Sequence, residues 1–323
     1  MEKISTKKDL NNNAIIDATE KLKNILNQCS KGRTIFDIEK IGTDVKSLIE
    51  QGADINVKNN YGITLLHYFV QTENIQFVKF LIDNGADINA EDNIKRTPLF
   101  FADNTAIAKM LLEAGADINH QTKDGQTPLM HSLMNYHFSL TDFLIDNGAD
   151  VNVKDNIKQH TALVYAINGY NGIADKLIKA GADINYQDKN GDTPLIIAVN
   201  EDNLSFVYSL TEHGANLDMQ NNLGHTALMA CTFKQRIFSY IIAKQLINYK
   251  ANLNLQDKEG KTALMHAVTN NNSEDIAKLL IDRKADLNIT DNLGFKAYNY
   301  CNNKKIIKLL SKKQKSKENQ MDL

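Results

Sequence analysis

Eight histidines, three cysteines and an aspartate that recurs in one fixed context are the side chains of this 323-residue chain that could bind a metal, attack an electrophile or move a proton. Their spacing supports none of these chemistries. Cys29, Cys231 and Cys301 lie far apart, outside any pattern of paired thiolate ligands. So few cysteines, in odd number, argue against a disulfide framework and for a reducing compartment. His131 and His266 follow Met130 and Met265 at equivalent places in two distant segments, which the chain cannot bring together. No Cys/His spacing fits zinc, so neither a metal nor a cofactor is expected. No Ser/His/Asp or Cys/His set suits nucleophilic catalysis. A Gly-x-Ser-x-Gly elbow and a phosphate-cradling glycine loop are both absent. The recurring aspartate repeats too regularly to be catalytic. The residues therefore point away from an enzyme.

The context of that aspartate defines the elements. The signature Gly-Ala-Asp-Ile-Asn starts at Gly52, Gly85, Gly115, Gly148, Gly181 and Gly214, with small changes, and in weaker form at Lys250 and Lys284. A period near 33 residues marks a stacked array of supersecondary units rather than one globular core. About 21 residues before each signature stands a second element, such as Thr97-Pro98-Leu99, Thr127-Pro128-Leu129, Thr193-Pro194-Leu195 or Thr262-Ala263-Leu264. Threonine caps helix N-termini, and proline suits the first helical position, where its missing N–H costs nothing. The three prolines of the chain all occupy this slot, so a first helix starts there. A second helix follows, with apolar faces such as Phe77-Val78 with Phe80-Leu81-Ile82, or Ile276 with Leu279-Leu280-Ile281. Glycine closes it, because the residue after a helix end often turns left-handed. Polar turn formers then lead to a tip such as Asp188-Lys189-Asn190-Gly191.

This pattern resembles the ankyrin repeat. The resemblance covers roughly residues 35–310, and the best copy is 188–220, where Asp188, Gly191, Thr193, Pro194, Leu195, Ala198, Gly214 and Ala215 are all in place. It implies an all-α fold, an ankyrin-repeat solenoid of stacked helix-turn-helix units with projecting β-turns. Seven repeats are laid out over 59–290, at 59–91, 92–121, 122–154, 155–187, 188–220, 221–256 and 257–290. An irregular N-terminal cap (14–58) and a C-terminal cap (291–310) flank them, since terminal repeats face water on one side. Residues 1–13 and the Lys-rich stretch 311–323 are expected to be disordered. His67 falls in the family's Thr-Pro-Leu-His slot, which implies a buried histidine bonding neighbouring turns. Three departures predict irregularity. Lys95 and Lys158 replace the tip glycine, where a left-handed lysine is strained, so both turns should be rearranged. Unit 92–121 is short, and unit 221–256 is long near Arg236 to Lys244.

Function is narrowed further by charge and by the tips. The net charge is −2, which does not suit a bulk nucleic-acid binder. No apolar run approaches the roughly 20 residues needed to insert in a membrane. The polar start of the chain lacks the apolar centre of a signal peptide. The third tip position alternates after Tyr61: Ile94, Asp124, Ile157, Asn190, Leu223, Glu259, Leu293. In ankyrin-like arrays the tips and the exposed face of the first helix line a concave groove that takes partner proteins. Tyr61, Ile94, Ile157 and Leu223, with Phe233 at a first-helix end, are therefore candidate partner-binding residues. Tyr170, Tyr136 and Met134 are weaker ones. The expectation is a monomeric, non-catalytic, cytoplasmic scaffold for protein partners, with no nucleic acid and no membrane insertion. An exported effector of an intracellular microbe, or a targeting or regulatory subunit of an enzyme complex, are the alternatives.

Overall fold

The computed structural model describes residues 7–29, 38–169, 172–233, 236–270 and 273–321; Tyr170 lies outside them. The chain divides into two compact units, Met1–Ile157 and Lys158–Leu323. Among the described residues there are helices and turns but no strand, only one isolated bridge between Gln256 and Thr262. No described helix is long and apolar enough to cross a membrane.

Local chemistry starts the helices where the sequence places them. Thr127, Thr193, Thr226 and Thr262 accept the backbone N–H three residues on, at 3.2, 3.3, 3.2 and 3.3 Å. Second helices are capped by asparagine instead: Asn74 accepts from Phe77 N–H at 3.1 Å and Asn203 from Phe206 N–H at 2.9 Å. At the far end of the second helix of unit 188–220 (Leu204–Glu212), Gly214 turns left-handed at φ 78° and Ala215 N–H returns to Leu210 O at 2.9 Å. That bond satisfies a carbonyl the helix leaves open.

Neither helix of a repeat can cover its own apolar side, so each stacks on the next repeat. In the first unit, Lys7–Cys29 packs on Ile38–Glu50, and the first helices Leu65–Gln71, Pro98–Phe101 and Pro128–Met134 stack in turn. Their partners Ile75–Asp83, Thr105–Glu113 and Phe138–Asp146 form the second row. The second unit repeats this from Ala162–Tyr165 to Ala297–Tyr300 in one row and from Ile173–Lys179 to Lys304–Met321 in the other. In each unit the core is built from the same few repeat positions. Leu99, Leu129, Leu195 and Leu264 from the Thr-Pro-Leu element are fully buried, as are Leu111, Leu144, Leu210 and Leu280 from the second helices. Each such leucine is worth about 2 kcal/mol of burial.

The last residue of the signature joins repeat to repeat. Asn56 Oδ1 accepts Asp87 N–H at 2.8 Å, and Asn89 does the same for Asp117 at 2.9 Å. In the second unit Asn185 accepts from Asn216 and Asn254 from Asp286, both at 2.8 Å.

The expected irregularities are met in part. Lys95 is not accommodated by rearrangement: it takes the left-handed conformation (φ 65°) and gives its N–H to Asp92 O at 2.9 Å, as a tip glycine does. At Lys158 the turn is rearranged, through one extra residue between Asp155 and Thr161, and Gln159 takes the positive φ of 64°. The short unit loses length in its first helix, which is a 3-10 turn, Pro98–Phe101. The extra length of unit 221–256 lies before and in Ser239–Asn248. At the ends, helix extends past the expected limits, starting at Lys7 and running through Ser311 to Met321. Lys, Gln and Glu are good helix formers and no glycine or proline interrupts 304–321, so the terminal helix continues beyond its buried anchors Ile306 and Leu310.

Candidate functional site

A buried side chain shapes each tip and an exposed one is presented by it. The first tip residue folds under the turn. Asn59 Oδ1 accepts the N–H groups of Tyr61 and Ile63, both at 2.9 Å, and Asp92 Oδ1 those of Ile94 and Arg96 at 2.9 and 2.8 Å. Asn221 holds Leu223 and His225 in the same way at 2.9 Å each. The third tip residue is then pushed outward while its carbonyl accepts from the next tip: Asn93 N–H to Tyr61 O and Lys123 N–H to Ile94 O at 3.0 Å in the first unit, Lys258 N–H to Leu223 O at 3.2 Å in the second. The backbone is satisfied and the side chain is left free. Tyr61, Ile94, Ile157, Leu223 and Leu293 are between 50% and 74% exposed, so they do not pack away against neighbouring tips.

In the first unit Tyr61 and Ile94 sit on adjacent tips and share a cavity of about 560 Å³ with Ile63, Tyr68, Phe101 and Arg96, reaching down to Cys29. The Arg96 guanidinium lies 4.4 Å from the Phe101 ring centre and its Nε donates to Asp92 Oδ2 at 2.8 Å, so the cation is stacked, paired and fixed. Burial pushes the Cys29 thiol up. Burial, with Cys29 beside it, pushes the Tyr68 phenol up to about 12. Both stay protonated at neutral pH. The groove sets apolar side chains beside Gln71, Asp92 and Asn93, with Arg96 as a fixed cation at its wall. Ile157 belongs to a tip further along, and the tip between it and Ile94 carries Asp124.

The second unit presents Leu223 and Leu293 with Glu259 on the tip between them. Phe233 lies elsewhere than on a tip, half-buried against two histidines. Its ring centre is 4.6 Å from that of His225 and 5.1 Å from that of His266. Both histidines turn Nε2 to one oxygen of Asp257, His266 at 2.6 Å and His225 at 3.7 Å. His225, Asp257 and His266 form the one group among the described residues whose three donor atoms could hold a metal ion, all within 4.8 Å of one another. In the sequence His266 is matched only by His131, and no spacing there points to this group. Stacking the repeats in columns exposes it: His225 precedes the cap Thr226, Asp257 opens the next tip, and His266 stands four residues after the cap Thr262.

His67 does what its slot implies. Its Nδ1 accepts from Thr64 N–H at 3.2 Å, which leaves Nε2 as the donor to Arg96 O of the next repeat at 3.0 Å. Burial lowers its pKa to about 4, so it is a neutral bridge between turns. His131, also lowered by burial, faces Phe100.

A family model described as ankyrin repeats (three copies) matches residues 39–122, 102–188, 168–243 and 237–322. Among solved structures the chain is similar to the ankyrin repeat domain of Bcl-3, described as a unique member of the IkappaB protein family. The identity is 24% and the TM-score 0.57, over 64% of this chain and 93% of that one. At that identity the likeness shows the fold alone. No curated protein matches the chain.

Proposed function

The chain belongs to the ankyrin-repeat family, and we propose that it is a non-catalytic scaffold that binds partner proteins through its turn tips and first-helix ends. Ankyrin repeats are in general modules of protein–protein interaction. The observation that carries this reading is the exposure of Tyr61 and Ile94 over a groove that includes Ile63 and Phe101 and in which Arg96 and Asp92 are already paired. A partner side chain entering it displaces water from apolar surface without breaking a hydrogen bond of the turns. The groove is formed in advance by packed repeats, which lowers the ordering cost of binding. Catalysis is disfavoured because the side chains able to do it are engaged in the architecture, as His67 and Asp92 show. Free Cys29, Cys231 and Cys301 suit a reducing compartment.

The test is affinity capture from native lysate with quantitative mass spectrometry, followed by direct titration of any retained protein. The bait is the intact chain beside Ile94→Asp/Ile157→Asp/Leu223→Asp and, separately, Tyr61→Asp/Ile94→Asp, each with unchanged circular dichroism. The expected result is a protein retained by the intact chain and lost by the variants, with about 2 kcal/mol or more forfeited per anchor. Identical capture by all baits would remove the tips from the binding surface.

A further inference from the structure

We propose that His225, Asp257 and His266 form a binding site for a divalent transition-metal ion of the zinc class, one that clips repeat 221–256 to repeat 257–290. Nothing in the scaffold reading requires such a site. It stands on where the fold puts two columns of residues.

The repeat brings the residue before one cap threonine, the first tip residue of the next repeat and the fourth residue of that repeat's first helix to one place. Asp188 shows the same corner with one histidine: His160 Nε2 is 3.4 Å from its Oδ2, and the helix position holds Ile197. At Asp291 the corner holds Lys261 and Tyr300, and the Tyr300 hydroxyl donates to the carboxylate. At Asp257 both columns carry histidine, and both histidines present Nε2 to the same oxygen.

The carboxylate is pre-set as a ligand. Its Oδ1 accepts from Glu259 and Lys261 N–H at 2.9 Å each, its side chain is 2% exposed, and Oδ2 is left to the histidines. A single proton cannot satisfy that arrangement. It serves the 2.6 Å contact from His266, while His225 at 3.7 Å is beyond hydrogen-bond reach. A dication serves all three. Tetrahedral zinc with bonds of about 2.0–2.1 Å sets its donors about 3.3 Å apart, a value between the two separations observed. Closing one gap and opening the other takes small rotations of the two imidazoles about the fixed carboxylate. Two imidazoles and a carboxylate suit zinc, cobalt or nickel better than the oxygen-only sets of magnesium and calcium. Phe233 packs on both rings, orienting them and excluding water from one side, as the apolar shell around a metal site does. Three protein donors leave a fourth position for water.

The test uses the full chain, stripped with a chelator and dialysed. Titration with Co²⁺, read by visible absorption, should give one tetrahedral site per chain, and Zn²⁺ should displace it. Zinc should also raise the thermal unfolding midpoint. His225→Gln and His266→Gln should each weaken binding by at least about tenfold, the size of loss seen when even outer partners of a site are removed. His131→Gln and His160→Gln should bind as the parent does. Should His266→Gln fail to fold, His225→Gln, on a half-exposed turn residue, decides alone. Absence of a tetrahedral cobalt spectrum, or affinity retained in His225→Gln, would overturn the proposal.

Discussion

At the scale of single residues, two features convert into measurements. His67 is neutral in the folded chain, with a pKa near 4, and rises toward about 6.5 when unfolded. A folded pKa below the unfolded one means that its contribution is complete above about pH 6.5 and is lost as pH falls toward 4. The full shift corresponds to stability on the order of 3 kcal/mol. Ring titration of isotope-labelled His67 should have a midpoint near 4; a midpoint near 6 would mean the imidazole reaches solvent. The cap threonines make the second case. Thr97 and Thr161 are buried with hydroxyls that find no partner, in the two repeats whose first helices are shortened, whereas Thr127 caps Met130. Thr127→Val should therefore cost about 1 kcal/mol, while Thr97→Val and Thr161→Val should be neutral or stabilising, because they remove an unsatisfied buried group. Denaturant midpoints of the three variants decide this.

At the scale of elements, the helix-closing residue and the tip glycine look alike in sequence and differ in space. A Cβ at Gly214 would meet nothing within 4 Å, whereas one at Gly191 would stand 2.8 Å from the backbone nitrogen of Asn222 on the next tip. The helix end therefore tolerates lysine at the cost of conformation alone, and Lys250 and Lys284 adopt φ 73° and 67° there. Lys284→Gly should stabilise the chain by about 1 kcal/mol, since it relieves a left-handed non-glycine residue. Gly191→Ala should destabilise by more than Gly214→Ala, because the first adds a backbone collision to the same conformational strain. Chemical denaturation of the pair tests that order, and equal losses would refute the steric account. Gly191 is thus constrained by the neighbouring repeat and the closing glycine by its own helix, although Lys95 shows that a tip can take a side chain.

At the scale of the whole molecule, stability passes from repeat to repeat through packed rows and through bonds such as Asn254 to Asp286. Leu246→Ala, in the fully buried row of repeat 221–256, should cost about 2–5 kcal/mol. Because each repeat is covered by its neighbours, hydrogen exchange should quicken in 188–220 and 257–290 as well as in the mutated repeat. Faster exchange confined to 221–256 would show that the repeats are not coupled. The sequence by itself determined the repeat, its helix starts and ends and its buried columns, because threonine capping, proline at the first helical position and left-handed glycine are local chemistry that any one repeat displays. It also placed Tyr61, Ile94, Ile157 and Leu223 on tips. Only the tertiary structure decided what adjacent repeats do to each other. It gave Lys95 a glycine-like turn, seated Tyr61 and Ile94 over one groove, and brought His225, Asp257 and His266 to one point. Those three are 32 and 9 residues apart, a spacing that matches no contiguous ligand motif, because the distance between them is set by the stacking of one repeat on the next.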